Sequence, residues 1–448
     1  MRATGLVLAV VLACSSARAD DTHYQDYLVG GRAIALGGAF CALADDSSGV
    51  WFNPAGLADV GSSSLQLSTS LYGFERGTIG NGGGIPVPGV PNLNDAFTDL
   101  VVIPASAGAA IAFGDRDEDG KARQGIGGAI IIPSYRSSSP GTSEDLATTS
   151  YKRRVTDREI WAGLGYGARV TSKLRLGVSA FYVLRSVADT EQLAYAADDT
   201  STSAPFETVF SDITLANGSL VLSGGAKLVL DEHWNVGISM RSPSMRIHSS
   251  GAIQYARATS EPSTGLSSVE RVVLDGLDSQ TKQAPTLRAG VSYMQLRHFT
   301  LAADLTAHAP VSYTLVNVPR STRERLPFTT EIERRAVVNL NIGGEYLAMT
   351  WLSVAGGFFT DFSSAPRIRE PLEADQPPRL NLYGTTASVA YISEHMITRL
   401  GLLYSFGSGL DVRPVSDLTR LGEGTNAFTT QEFTQSFFYL YVSSTFRY

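Results

Sequence analysis

Cysteine is scarce in this chain of 448 residues: there are two, Cys14 and Cys41. Cys14 falls in the leader described below, which leaves Cys41 alone and excludes an internal disulfide and a cysteine metal site. Charge is scarce too, at 18% of residues, against roughly 25% in soluble proteins. A formal net charge of −7 gives no support to nucleic-acid binding. Beyond residue 20 no apolar run reaches the about 18 residues of a membrane helix. The stretch from Leu100 to Phe113 comes nearest and is broken by Pro104, Ser106 and small residues. There is no G-x-S-x-G elbow, phosphate-binding loop or dinucleotide fingerprint. The six histidines, His23, His233, His248, His298, His308 and His395, form no H-x-x-H or H-E-x-x-H pair. The expectation is a protein that is not an enzyme and takes no cofactor.

What is present starts at the N-terminus. Arg2 precedes an apolar stretch from Leu6 to Ala13, then Ala17-Arg18-Ala19 and Asp20-Asp21. A charged start, a short apolar run and an A-x-A end make residues 1–19 a secretory signal peptide. A lipoprotein site at Ala13-Cys14, with Cys14 lipidated, is the alternative; Val11 and Leu12 fit it loosely. An exported chain without a membrane helix is either soluble and periplasmic or a β-barrel.

Alternation separates these. From Ile160 to Val170 the even positions are Ile160, Ala162, Leu164, Tyr166, Ala168 and Val170; the odd ones include Gly163, Gly165, Gly167 and Arg169. Leu174 to Leu184, Trp234 to Met240 and Val338 to Tyr346 repeat the pattern, with one apolar face and one small or polar face. A soluble sandwich also alternates, but its strands are typically about 5 or 6 residues. Here most run about 10 to 14, enough for the about 9 to 11 that a tilted membrane strand needs. Strands are expected at 63–74, 103–114, 125–136, 157–170, 174–188, 219–231, 234–241, 285–296, 299–308, 335–348, 351–361, 379–392, 396–406 and 435–448. That is about 14 strands, and long polar connections (75–102, 137–156, 189–218, 242–284, 309–334, 362–378, 407–434) interleave with short turns. Transmembrane barrels sort their loops in this way, which places both termini in the periplasm of a Gram-negative cell. At the end of the chain Phe438, Leu440, Val442, Phe446 and Tyr448 share one face. This strand resembles the signal read by the barrel-assembly machinery, and outer-membrane lipid is the expected surrounding.

Before the first strand lies a stretch rich in small residues. Its notable pieces are Gly31-Arg32-Ala33, Gly37-Gly38-Ala39, Ala44-Asp45-Asp46 and Asn53-Pro54-Ala55-Gly56-Leu57. It resembles the N-terminal plug, or hatch, of the FadL-type outer-membrane transport superfamily, over about 30 residues. The expected division is therefore 1–19 signal, 20–60 plug and 61–448 transmembrane β-barrel, an all-β antiparallel fold. Elementary geometry agrees: about eight strands enclose a space side chains can fill, and fourteen enclose more. Small residues such as Gly37, Gly38 and Ala39 let a backbone lie against the wall. Asp45 or Asp46 is expected to cap a short helix, Pro54 to end regular structure, and Arg32 with the two aspartates to pair with lumenal polar groups. Asn53, Pro54 and Ala55 complete the expected passage residues.

The resemblance implies passive uptake of a hydrophobic small molecule, fatty acid-like or hydrocarbon, through an extracellular apolar site, plug rearrangement and a sideways exit through a kinked strand. The lateral gate is expected at Gly127, Gly128 and Pro133, because glycines and a proline weaken a ladder. Ile85, Val87 and Val90, in a stiff proline-rich piece, are the expected extracellular apolar contacts. Asp115, Asp117 and Asp119 copy the start of a calcium loop, but the twelfth position is Ile126 rather than Glu, so a solvated acidic turn is favoured. Related barrels serve secretion or conjugation assemblies, which keeps a structural or shuttle component as the alternative function. A lipid-acting enzyme with scattered wall residues is the third, without support from any motif.

Overall fold

The computed structural model describes residues 22–25, 29–79, 95–101, 106–116, 122–138, 149–196, 206–261, 266–295, 298–323, 325–326, 330–372, 376–414 and 428–448. The signal-peptide reading, Cys14, Ile85, Val87, Val90, Asp117 and Asp119 lie outside them.

Fourteen antiparallel strands form one closed wall. They are β1 (Ser64–Ile79), β2 (Asp95–Val101 and Ser106–Arg116), β3 (Ala122–Ser138), β4 (Thr149–Arg169), β5 (Leu174–Ala196) and β6 (Phe206–Val229). Next come β7 (Trp234–Arg241 and Met245–Glu261), β8 (Leu266–Leu277 and Thr286–Gln295), β9 (Phe299–His308) and β10 (Val337–Met349). β11 (Leu352–Asp361), β12 (Arg379–Ile392), β13 (Met396–Pro414) and β14 (Phe428–Arg447) complete it. Each strand pairs with its sequence neighbour, and β14 returns to β1 with Arg447 opposite Ser64. Closure removes the unpaired edges that an open sheet would present to lipid.

Period two decides which side chains meet lipid. Leu164, Val178 and Leu305 point outward and are more than half exposed, whereas Ser179, Asp304 and Thr306 on the opposite face are buried. At the short-turn end aromatic rings form an outer belt: Trp234 lies 5.0 Å from Tyr293, Tyr293 lies 5.6 Å from Phe299, and Trp351 packs near Tyr391. Amphipathic rings collect at that depth of a membrane. On β14, Phe438 and Phe446 face outward while Tyr439 and Tyr441 are buried inside. The short turns are locally encoded; Asp231 Oδ1 accepts from the amides of His233 and Trp234, 2.8 Å each.

The long connections differ from the sequence expectation. Residues 189–196, 206–218, 245–261 and 266–277, read from sequence as loop, continue the ladder. β6 alone has 24 residues, far more than the about 11 needed to span. Beyond the membrane no lipid demands an apolar face, so the alternation that marks a spanning strand fades while the hydrogen bonding goes on. A hairpin (Val311–Thr314 with Glu331–Arg334) and the segment carrying Val316, Val318 and Leu326 fold against Leu215, Ile253, Tyr255 and Val272 of the extended β6, β7 and β8.

Candidate functional site

The stretch from Val29 to Val60 lies inside the barrel, with Ile34, Leu36, Phe40, Leu43 and Leu57 at most 1% exposed. Two short helices, α1 (Gly31–Ala35) and α2 (Gly49–Phe52), and a 3-10 helix (Pro54–Asp59) carry it. None has strong propensity at that length, so wall contacts hold them. Gly37 and Gly38, at φ 61° and 83°, end α1; the Gly38 amide donates to the Ala33 carbonyl at 2.8 Å. This left-handed pair is the usual glycine stop of a helix.

Asn53 and Pro54 form the tightest fit. The buried Asn53 amide donates to the carbonyls of Cys41 (2.9 Å) and Ala226 on β6 (3.1 Å), and its oxygen accepts from the Ala55 amide at 3.1 Å. Pro54 starts the 3-10 helix, where its missing N–H costs nothing. Gly167, Gly177 and Gly225 on β4, β5 and β6 face this turn, and a Cβ on any of them would collide with Asn53 or Pro54. The small-residue face of the strands is thus a seat for the segment's backbone.

Charged side chains fix both ends. Arg32 on α1 bonds Asp45 at 3.0 Å and Glu345 of β10 at 2.8 Å, and Glu345 also takes Arg399 of β13 at 2.6 Å. Asp59 receives Arg169 (3.2 Å), Arg175 (3.1 Å) and Lys227 (3.0 Å) from three adjacent strands. Between them, Asp304 of β9 accepts from the amides of Phe40 and Cys41, both at 2.8 Å, and Asn341 of β10 donates to the Gly37 carbonyl at 2.7 Å. Further upstream, Asp361 accepts from the amides of Tyr24 and Gln25. Asp46 does not cap α2, as the sequence suggested; its carboxylate accepts from Ser48 N and Oγ, and α2 has no side-chain cap. The reason is register: α2 begins three residues after Asp46, and the Asx-type turn takes the oxygen first.

A cavity lies between this segment and the long-connection end, bordered by Tyr24, Trp51, Trp161, Arg241, His308 and Tyr313 among others. Trp51 meets Trp161 edge-on at 4.9 Å, and both pack on Phe181. Arg241 lies 4.0 Å over the Trp51 ring. Pro133 also borders the cavity, at a register shift between Ile131 and Ser134 of β3 against β4. Gly127 and Gly128 precede that shift on the same strand, in regular pairing with Gly165 and Leu164. A second interruption separates Arg241↔Thr286 from Gly251↔Leu277 on β7 and β8, flanked by Pro243 and Pro285. Asp115 is exposed, and no cluster of metal-ligating side chains occurs among the described residues. Sequence reading missed Asp59's three cations, Glu345–Arg399 and Asp304. Their signal was available: charged residues in mid-strand on the non-lipid face require partners inside.

The class defined so far is a closed transmembrane β-barrel with a chain segment packed in its lumen. Comparison of folds makes this narrower. The chain resembles a Pseudomonas aeruginosa FadL homologue (12% identity, TM-score 0.61, covering 95% of this chain and 99% of that one). It also resembles the Pseudomonas putida toluene transporter TodX (13%, 0.60, 94% and 99%) and the CymD monoaromatic hydrocarbon channel (13%, 0.57, 95% and 99%). No protein-family model and no curated protein matches the sequence. The fold of this chain is that of the FadL-type outer-membrane transporters.

Proposed function

We propose that this protein is a passive outer-membrane channel for small hydrophobic compounds, with residues 20–60 as its plug. The observation that carries the reading is the cavity: a pocket with Trp51, Trp161, Tyr24 and Tyr313 in its walls, floored by a segment that is bonded to the barrel all around. An apolar solute reaching such a pocket leaves water without needing a continuous aqueous pore, so uptake is compatible with a filled lumen. Structural neighbours named as toluene and monoaromatic hydrocarbon channels support small aromatic cargo; long-chain fatty acids extend the same chemistry. Entry runs between the long connections, and a shift of the Val29–Val60 segment opens the way onward. Exit is sideways at the Ile131–Ser134 shift of β3, where the ladder is already interrupted beside the cavity. The apolar belt and the β14 face support insertion in the outer membrane by the barrel-assembly machinery, with both termini periplasmic. The chemistry is passage alone, with no catalysis.

The test is uptake of radiolabelled toluene by outer-membrane vesicles containing or lacking the protein. Faster uptake with the protein supports the reading; equal rates remove it. Pro54→Ala should slow uptake several-fold while heat-modifiable gel mobility stays intact.

A further inference from the structure

We propose that Arg335, Arg367 and Arg379 form a site on the rim of the barrel for the phosphate groups of a phosphorylated glycolipid, the kind of headgroup that faces outward in a Gram-negative outer membrane. This goes beyond the channel reading and does not depend on it.

The three arginines gather around one piece of chain, residues 363–365, which follows β11. On one side Arg335, between the hairpin and β10, donates its amide to the Ser364 carbonyl at 2.8 Å and its Nη2 to the Ser363 carbonyl at 3.1 Å. On the other side Asn381 of β12 accepts from the Ser363 amide at 3.2 Å, and Arg379 opens that strand. Arg367 lies just beyond Ala365 and is exposed. Burial, then the neighbouring charges of Arg379 and Arg367, loosens the proton of the Arg335 guanidinium; Glu370, exposed on the same connection, does not offset them there. Among the described residues none of the three arginines forms an ion pair, and the Nε atoms of Arg335 and Arg379 are buried without a partner. Gathered like charges repel, and buried polar groups of this kind are rarely left unmade without a reason. A phosphate answers both, since its oxygens accept from the forked donors of a guanidinium.

Position selects the source of that phosphate. Leu380 and Leu382 of β12 point inward, 1% and 5% exposed, so Arg379 points outward, as does Leu410 opposite it on β13, 45% exposed. Farther along the same outer face, Tyr383 meets Phe362 edge-on at 5.8 Å and lies 6.2 Å from Phe406, which stacks on Tyr404. Such rings mark the membrane boundary. These lie at the long-connection end, the end that transmembrane barrels turn outward. Cations directly above them stand at the level of the outer-leaflet headgroups. A free anion gains nothing from a site beside the lipid face. A headgroup whose acyl chains lie along Tyr383 and Phe406 gains both contacts at once.

The experiment is native mass spectrometry of the full chain in detergent, titrated with diphosphorylated lipid A and with the same lipid stripped of phosphate. The phosphorylated form should bind roughly tenfold more tightly. Arg335→Gln combined with Arg379→Gln should erase that difference while binding of the phosphate-free lipid stays as it was, and Arg367→Gln alone should reduce it in part. Equal binding of the two lipids to the unaltered protein overturns the inference, and so does a phosphate preference that survives the double substitution. Inorganic phosphate, added at the same concentration as the lipid, should displace none of it; full displacement identifies a small-anion site and overturns the glycolipid assignment. Because Arg335 also bonds Ser363, heat-modifiable gel mobility checks that the barrel stays closed. If the double variant loses that mobility, Arg367→Glu decides, since Arg367 is exposed and bonds no other described residue: a weakened phosphate preference supports the site, and an unchanged one overturns it.

Discussion

Asp59 illustrates how single residues hold the lumenal segment. One carboxylate faces three cations from β4, β5 and β6, and removing one partner of such a set strands the others. Asp59→Ala should therefore destabilise the protein by roughly 3 kcal/mol, read as an earlier unfolding transition in detergent; a shift under about 0.5 kcal/mol, the usual surface value, would deny it that role. Leu57, fully buried between Val50 and the wall, should cost about 2–5 kcal/mol as Leu57→Ala. Asp46 titrates in the opposite sense. Burial, then the charge of Asp45, pushes its carboxyl up to about 6 from 3.8. A folded value above the unfolded one means that ionised Asp46 opposes the seated segment above about pH 6, and the penalty fades as pH falls from about 6 to about 4. Asp46→Asn should accordingly slow release of the segment at pH 7.5 and change little at pH 4. Equal effects at both pH values would contradict this.

At the scale of elements, the wall strands and the segment were unequally legible. Spanning strands announce themselves because lipid forces every second residue to be apolar, as at Leu164, Tyr166 and Ala168. The extensions of β5 to β8 do not, since no lipid imposes a strict period on them; Thr190, Glu191 and Gln192 are ladder residues that read as loop. The Asn53–Pro54 turn was visible as a motif. The reason for it was not, because Gly167, Gly177 and Gly225 lie more than a hundred residues away and meet it only in the closed barrel. Likewise, Arg241, Thr286 and His308 share nothing in sequence and come together by strand register alone. Cys41 offers a direct probe of the segment. Burial, then the charge of Asp304, pushes its thiol up to about 12, so it should resist maleimide while the segment is seated. Gly177→Val places a side chain where Pro54 lies and should make Cys41 reactive without preventing barrel assembly. Continued protection of Cys41 would show that the seat tolerates the change.

For the whole molecule, the structure joins a closed fourteen-strand wall to a lumen occupied from Val29 to Val60, and the function argued above requires that occupant to block water and ions while apolar solutes pass. Planar-bilayer conductance of the full chain and of a variant lacking residues 21–58 tests this most directly. The account predicts a nearly silent full-length protein and a steady ohmic conductance from the shortened barrel. Equal conductance from the two, whether silent or open, would contradict it.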